Sequence, residues 1–243
     1  AVFELIRFSD NFSVPKSEKE EALPPEILEA ILQILEERET IDFSHYKTST
    51  LRRRIRHRCA LTRQESMEAY IDHLRESEEE QKLLRQDLLI GATCFFRDSE
   101  AWEVLKTDVL SRQIAKLQPQ QQLRIWVSAC ATGEEAYSVA IAVDEVIRDA
   151  GKPVQVKIFA TDIDADALEV AANGIYGRNL VGDVSRGRLE RYFDRRGDGY
   201  QVKRSLREML IVAPHDLTKN VGFSKMHVVS CRNVLIYMQH HLQ

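Results

Sequence analysis

The sequence lacks the features of several protein classes. It has no C-x-x-C pair and no histidine ladder beside a cysteine, so neither a zinc site nor a disulfide framework is predicted. It also has no apolar run near the about 20 residues that span a bilayer, and residues 1–7 lack the pattern of a signal peptide. We therefore expect a cytoplasmic protein with no metal ion and no direct membrane insertion. The four cysteines lie far apart, at Cys59, Cys94, Cys130 and Cys231.

A strong excess of one charge is also missing. The 243 residues carry 34 basic and 38 acidic side chains, a formal net charge of -4, which excludes a protein that coats nucleic acid with its whole surface. Hydrophobic residues make up 44% of the chain and charged residues 30%, a balance typical of globular proteins rather than disordered or fibrous ones. The first residue is alanine rather than methionine, which predicts a fragment or a processed product.

The first part of the chain has the pattern of a linker followed by a helical bundle. Residues 9–25 are polar, charged and interrupted by proline, so we assign residues 1–24 to an extension. Apolar residues then recur at helical spacing, which predicts an all-α domain over residues 25–90. Within it, Ser77 and Glu80 have the S-x-x-E form of a capping box at the start of a helix.

Strands and helices alternate in the remainder of the chain. This rhythm predicts a parallel sheet with crossover helices, and therefore an α/β domain over residues 91–243. Residues 175–208 interrupt the rhythm; they are charged and contain a turn at residues 196–199, which predicts a small inserted antiparallel β subdomain. The predicted strands of the main sheet are residues 123–127, 154–160, 209–213 and 227–231, and the predicted helices are residues 134–150 and 165–173.

The loop after the first of these strands is built from small residues. Small side chains allow a ligand to approach the backbone and the start of the following helix. Only Gly133 remains of the three glycines of a dinucleotide fingerprint, and Glu134 and Glu135 occupy the helix start, where a phosphate would need positive potential. Phosphate binding is therefore disfavoured. The acids favour a ligand that is cationic or that carries amines and hydroxyls.

Two aspartates follow the second strand. An acid at the position of Asp162 is able to accept hydrogen bonds from both ribose hydroxyls of an adenosine. It is equally able to serve as a cap of the following helix, although we expect Asp164 to be that cap. Both roles remain open for Asp162 on spacing alone.

Five segments in order resemble those of a known family. They are similar to motifs of the chemotaxis receptor methyltransferases, the CheR family, over about residues 25–240. The resemblance implies a Rossmann-like S-adenosylmethionine-dependent methyltransferase domain that methylates glutamate side chains of chemoreceptors and releases S-adenosylhomocysteine. Residues 34–54 are most similar to the methyltransferase part of proteins that fuse methyltransferase and methylesterase domains. The five segments are ATCFFRD, SACATGEEAYS, FATDID, APHDL and CRNVLIY.

The resemblance also implies roles for single residues. Thr93 and Arg97 would face the cofactor, Glu135 its amino acid end, and Asp162 its ribose. Arg97 and Tyr237 would border the transferable methyl group and form the catalytic pair. The other implied cofactor contacts are Ala129, Asp216, Leu217, Cys231, Arg232 and Asn233.

The chain departs from the family pattern in three places. Gly91 stands where many relatives have asparagine, and Ala129 replaces a frequent glycine. Relatives continue after the CRNVLIY segment with several further strands and helices, whereas here only residues 238–243 follow it. The resemblance therefore predicts that the C-terminal strands of the sheet are absent, and it leaves the activity of this chain open.

A basic run suggests how a partner is recognised. Seven of the 34 basic residues lie between Lys47 and Arg63 with no acid among them. The run is either a solvated helix face or a surface for an acidic helical partner, such as the cytoplasmic helical domain of a chemoreceptor. Nucleic acid is disfavoured because aromatic residues are not interleaved with the charges. The predicted substrate-binding residues are Arg52, Arg53, Arg54, Arg56 and Arg58.

Two other functions remain open at this point. One is a methyltransferase that acts on small carboxylic acids and has no use for the basic run. The other is a non-catalytic signalling module that senses the cofactor. The resemblance to the fused proteins also implies a fused or associated methylesterase domain as a partner.

Overall fold

The computed structural model describes residues 23–36, 41–89, 93–118 and 121–242. The predicted extension up to residue 22, and Gly91, lie outside these residues. Within the described ranges, none of the helices is long and apolar enough to cross a bilayer. No group of three or more His, Cys, Asp or Glu side chains in the same ranges is arranged to hold a metal ion.

The first domain is a bundle of four helices. Its helices are α1 (Pro25–Glu36), α2 (Thr48–Leu61), α3 (Met67–Glu76) and α4 (Glu78–Leu88), with a 3-10 turn at Phe43–His45 between the first two. Each helix contributes an apolar stripe to one core, because apolar side chains at helical spacing share a face. Leu23, which we assigned to the extension, is 2% exposed and belongs to this core. The fully buried residues of this core include Ile31, Ile55, Tyr70, Leu74, Leu84 and Leu88.

Glu80 departs from the capping box that the sequence predicts. Ser77 does cap α4, since its hydroxyl accepts a hydrogen bond from the Glu80 backbone N–H at 3.1 Å. The Glu80 carboxylate, however, turns into the bundle. There it accepts two hydrogen bonds from Arg58, both at 2.8 Å, and one from the hydroxyl of Tyr70 at 2.9 Å. A bidentate guanidinium is a stronger donor than one backbone N–H. The Glu80 side chain therefore pairs with Arg58 instead of making its half of the capping box.

The second domain is α/β, as predicted. Its main sheet is parallel with strand order β6-β2-β1-β7, and a three-stranded antiparallel sheet of order β3-β5-β4 is inserted between α8 and β6. In chain order the elements are α5 (Ser99–Val104), a π-helix (Leu105–Leu110), α6 (Ser111–Lys116), β1 (Gln122–Ser128), α7 (Glu134–Ala150), β2 (Gln155–Asp162), α8 (Ala165–Asn173), β3 (Ile175–Tyr176), α9 (Leu180–Asp183), α10 (Arg186–Tyr192), β4 (Phe193–Arg196), β5 (Gly199–Val202), α11 (Arg204–Arg207), β6 (Leu210–Pro214), β7 (Val228–Cys231) and the 3-10 turns Leu235–Tyr237 and His240–Leu242.

The core of this domain lies between the sheet and α7. Leu123, Ile125 and Val127 alternate along β1 and are fully buried, whereas the residues between them point to the opposite face. The helix α7 ends at Gly151, which adopts the left-handed conformation expected of a glycine after a helix. Among the described residues, β7 pairs only with β1 and therefore forms one edge of the sheet.

The buried contact between Arg58 and Glu80 predicts a measurable stability difference. Burial alone would raise the pKa of Glu80, but the hydrogen bonds from Arg58 and Tyr70 outweigh it and lower that pKa. The side chains of Arg58 and Glu80 are 16% and 5% exposed, so Glu80→Gln removes the bidentate partner of a largely buried guanidinium and leaves it only the longer contact to the Asp87 carboxylate at 3.7 Å. We expect the free energy of unfolding to fall by about 3 kcal/mol in urea titrations at neutral pH.

The pH dependence provides a second test of the same pair. Because the pKa of Glu80 is lowered, its contribution is complete above the pKa of an ordinary glutamate and disappears as the pH falls through the lowered value. The difference between wild type and Glu80→Gln should therefore shrink in acid. Glu79→Gln, at an exposed neighbouring position, is the matched control and should change little. An equal effect of both substitutions at neutral pH would contradict the assignment.

Candidate active site

A cleft opens at the carboxyl ends of the parallel strands. β1, β2, β6 and β7 run in the same direction, so the loops after them meet at one edge of the sheet. The cleft encloses about 1170 Å³ including its open mouth, and residues of both domains line it.

The loop between β1 and α7 is bent tightly towards β2. Ala129, Ala131 and Gly133 have φ angles of 52°, 46° and 95°, in the left-handed region that is costly for alanine. A Cβ at Gly133 would lie 2.8 Å from the Cβ of Ala171 in α8, so glycine is the residue that lets the loop pack there. Strained backbone of this kind is often found at functional sites.

Asp162 anchors this loop. Its carboxylate accepts a hydrogen bond from the Ala131 N–H at 2.7 Å and one from the Asp164 N–H at 3.0 Å. Burial raises the pKa of Asp162, and the backbone hydrogen bonds oppose that shift. Asp164 caps α8 by accepting from the Asp166 and Ala167 N–H groups, as predicted. Two backbone bonds leave lone pairs of the Asp162 carboxylate for a ligand in the cleft.

Glu135 is the acid at the start of α7 that lines the cleft. The hydroxyl of Ser230 on β7 donates to it at 2.5 Å. Burial raises the pKa of Glu135, while the Ser230 hydrogen bond and the nearby charges of Arg232 and Arg97 act in the opposite direction. The neighbouring Glu134 instead accepts from the hydroxyl of Thr132 at 2.6 Å and does not line the cleft.

Arg232 holds the turn that carries Arg97. Its guanidinium donates to the Asp98 carboxylate at 2.7 Å and to the Arg97 carbonyl at 3.0 Å, and it lies 5.5 Å from the ring centroid of Trp102. The indole N–H of Trp102 donates to the same Arg97 carbonyl at 2.7 Å. With its backbone held in this way, Arg97 lines the cleft, and within the described residues its guanidinium forms no ion pair.

The loop after β6 forms another wall. The Asp216 carboxylate accepts from the N–H of Thr218 at 2.8 Å and from its hydroxyl at 2.6 Å, and the Asn220 side chain accepts from the Asp216 N–H. The loop is tied to β2 through the His215 N–H, which donates to the Asp162 carbonyl at 2.8 Å. These bonds hold Asp216 and Leu217 at the cleft.

Most residues that the resemblance implies come together here. Cys231 is the exception in the cofactor set: it is the last residue of β7, does not line the cleft, and has a thiol pKa that burial raises. The five arginines predicted to bind the substrate lie on α2, outside the cleft. The implied residues that line the cleft are Thr93, Arg97, Ala129, Glu135, Asp162, Asp216, Leu217, Arg232, Asn233 and Tyr237.

Several residues of the cleft were not predicted from the sequence. Asp42 and Tyr46 belong to the helical domain and reach the cleft from the 3-10 turn before α2. No sequence motif predicts that these two residues line the cleft, because their position depends on how the two domains pack. His215, Thr218 and Val234 are further lining residues, and each of these lies in or next to a segment that the resemblance singled out. Trp102, which also lines the cleft, lies in α5, four residues after such a segment.

Two family models match the chain. The model described as CheR methyltransferase, all-alpha domain, matches residues 26–89, and that described as CheR methyltransferase, SAM binding domain, matches residues 91–243. Chemotaxis protein methyltransferase 2 of Vibrio cholerae is 32% identical over 203 residues, which cover 81% of this chain and 70% of the relative. Chemotaxis protein methyltransferase 1 of Pseudomonas aeruginosa is 39% identical over 150 residues, which cover 60% of this chain and 54% of the relative.

A third relative is much longer than the chain. An uncharacterized 104.1 kDa protein of Rhodobacter capsulatus is 34% identical over 216 residues, which cover 89% of this chain but 23% of the relative. The chain thus spans less than a quarter of this relative and about half of the Pseudomonas protein. The helical bundle and the α/β domain correspond in order to the two matched models, and the chain belongs to the CheR methyltransferase family.

Proposed function

We propose that this chain is a cytoplasmic protein-glutamate O-methyltransferase that uses S-adenosylmethionine to methylate chemoreceptors. The observation that carries the proposal is the convergence of Arg97, Glu135, Asp162, Asp216 and Tyr237 on one cleft, although they come from five separate segments. The names of the Vibrio and Pseudomonas relatives, both chemotaxis protein methyltransferases, support it.

The residues of the cleft fit an adenosyl sulfonium ligand. The two half-buried carboxylates of Glu135 and Asp162 suit a molecule with hydroxyls and an ammonium group, and the glutamates at the helix start disfavour a phosphate. Asp162 would hold the ribose, Glu135 the amino acid end, and Asp216 with Leu217 the adenine. When bound, S-adenosylmethionine supplies a methyl group on a positively charged sulfur.

The remaining polar groups suit the incoming side chain. A glutamate carboxylate is already ionised at neutral pH, so the chain needs no general base and its task is positioning. Arg97 would hold that carboxylate, and the hydroxyl of Tyr237 would orient it. The backbone N–H of Lys47, the residue before α2, donates to the Tyr237 carbonyl at 2.8 Å, so the start of the basic helix borders the reaction site.

The outer arginines of α2 would bind an acidic helical partner. Arg58 is occupied by Glu80, and Arg54 donates to the Asp87 carbonyl, so neither is wholly available. Arg53 is exposed and Arg52 and Arg56 are half-buried. An acidic cytoplasmic helical domain of a chemoreceptor would have the complementary charge. A fused or associated methylesterase domain remains a further proposed partner.

The raised pKa of Glu135 leads to a prediction of how product binding depends on pH. Because burial raises its pKa, Glu135 gains a proton at a higher pH than an ordinary glutamate and then loses its attraction for an ammonium group. Calorimetry should show that the affinity for S-adenosylhomocysteine falls as the pH is lowered through the raised pKa of Glu135. Glu135→Gln should bind about tenfold more weakly at neutral pH and show a weaker pH dependence, of which the part due to Asp162 remains.

The neighbouring glutamate is the control for that experiment. Glu134→Gln makes the same change one residue earlier, on a carboxyl that faces Thr132, and should leave the affinity and its pH dependence nearly unchanged. If Glu134→Gln rather than Glu135→Gln flattened the pH dependence, the assignment of the amino acid end would be wrong.

Substitution of Arg97 separates an enzyme from a sensor. We expect Arg97→Ala to lower the incorporation of labelled methyl into a receptor fragment by about 100-fold, because the incoming carboxylate loses its cation. Arg112→Ala, which removes an exposed arginine of α6, should behave as wild type. A wild-type chain that binds the cofactor tightly but transfers no methyl would instead support a non-catalytic sensor.

Charge reversal on α2 separates protein substrates from small ones. The triple change of Arg52, Arg53 and Arg56 to glutamate should reduce methylation of a receptor fragment at least about tenfold, because the acidic partner is then repelled. Reversal of the exposed Arg75 and Arg112 is the control and should have little effect. If the triple variant methylated the receptor fragment normally, α2 would not be the docking surface. Transfer to small carboxylic acids by wild type and variant alike would favour the rival enzyme.

A further inference from the structure

Tyr46 is a residue of the helical domain that reaches into the cleft of the other domain. It follows the 3-10 turn before α2, and its ring packs against Phe43 with centroids 5.7 Å apart. Its hydroxyl makes no hydrogen bond to another described group. Burial, followed by the charges of Asp162 and Asp216, raises the pKa of Tyr46 to about 12, so the hydroxyl keeps its proton at neutral pH. It is therefore a donor without an acceptor.

The surroundings of this hydroxyl indicate which ligand atoms it would meet. Tyr46 lines the cleft together with Asp162, the last residue of β2, and Asp216, in the loop after β6, and the charges of both carboxylates act on its hydroxyl. These two residues belong to the walls that we assigned to the ribose and the adenine. A half-buried donor beside these two walls favours a ligand with oxygen or nitrogen acceptors on its nucleoside part.

The backbone around Tyr46 is held by a short antiparallel contact with the end of the chain. Tyr46 forms a β-bridge with Met238, and the Lys47 N–H donates to the Tyr237 carbonyl at 2.8 Å. Gln239 closes the contact. Its backbone N–H donates to the His45 carbonyl at 2.9 Å, and its side-chain amide donates to the Ser44 carbonyl at 2.5 Å. Both tyrosines of the cleft, Tyr46 and Tyr237, are therefore carried by one paired segment.

We propose that the hydroxyl of Tyr46 donates a hydrogen bond to the adenosyl part of the bound cofactor, and that Gln239 is the positioning residue that holds Tyr46 there. This inference rests on the proposed function, since it takes the ligand of the cleft to be an adenosyl compound. It makes the helical domain part of the cofactor site as well as the proposed docking surface.

Removing one oxygen tests the role of Tyr46. Calorimetry would compare the binding of S-adenosylhomocysteine and of 5′-methylthioadenosine, which lacks the amino acid end, to wild type and Tyr46→Phe. We expect both ligands to bind the variant about tenfold more weakly, because one buried hydrogen bond is lost in each complex. Tyr200→Phe, which removes the same atom in the inserted sheet, is the control and should bind both ligands as wild type does.

The outcomes distinguish this inference from the proposed function. If wild type bound neither ligand, the proposed function itself would fail. If wild type bound both and Tyr46→Phe bound them equally well, the inference alone would be overturned. A loss confined to S-adenosylhomocysteine would also overturn it, since the hydroxyl would then contact the amino acid end.

A double-mutant cycle tests the role of Gln239. We expect Gln239→Ala to weaken binding of both ligands about fivefold, and to have no further effect in a chain that already carries Tyr46→Phe. A residue that only stabilised the fold would give additive losses, and additive losses would overturn the positioning role. Gln201→Ala is the control, because it removes a similar bond from a side-chain amide to the Asn173 carbonyl in the inserted sheet. Melting temperatures of all variants would establish that each is folded.

Discussion

Two backbone N–H groups, from Ala131 and Asp164, meet at the carboxylate of Asp162, and the arrangement of the cleft depends on this contact. One N–H belongs to the loop after β1 and the other to the start of α8, so a single side chain joins two successive connections of the sheet. The left-handed conformations of Ala129 and Ala131 are costly by themselves. The charged acceptor at Asp162 helps to offset that cost, because hydrogen bonds to an ionised group are stronger than neutral ones.

The same corner of the molecule connects the two domains. Ile163, directly after Asp162, packs against the core of the helical bundle. Asp166 in the first turn of α8 accepts from Gln86 at 3.0 Å and pairs with Lys82 at 2.9 Å, both from α4. The strand end that presents Asp162 to the cleft is therefore held from the bundle as well as from the sheet. This explains why residues of the first domain are found in the cleft.

Charge is distributed differently in the two parts of the site. Inside the cleft the acids Glu135 and Asp162 are half-buried, and this burial raises the pKa of each. Arg97 and Arg232 supply positive charge at the same place, and Arg232 is tied down by Asp98. Outside, α2 presents arginines that have no acid among them in the sequence. A cationic ligand within and an acidic protein outside are the combination that this distribution favours.

The sequence by itself determined the class of the fold, the inserted β subdomain, the cap at Asp164 and the family, because these depend on local periodicity and on short ordered segments. Tertiary structure decided the rest. Only packing shows that Glu80 turns to Arg58 instead of closing a capping box, that Cys231 lies beside the cleft rather than in it, and that Tyr46 enters it. The physical reason is that burial and the choice of hydrogen-bond partner depend on contacts between residues far apart in the chain. No local sequence pattern shows which of these residues come into contact.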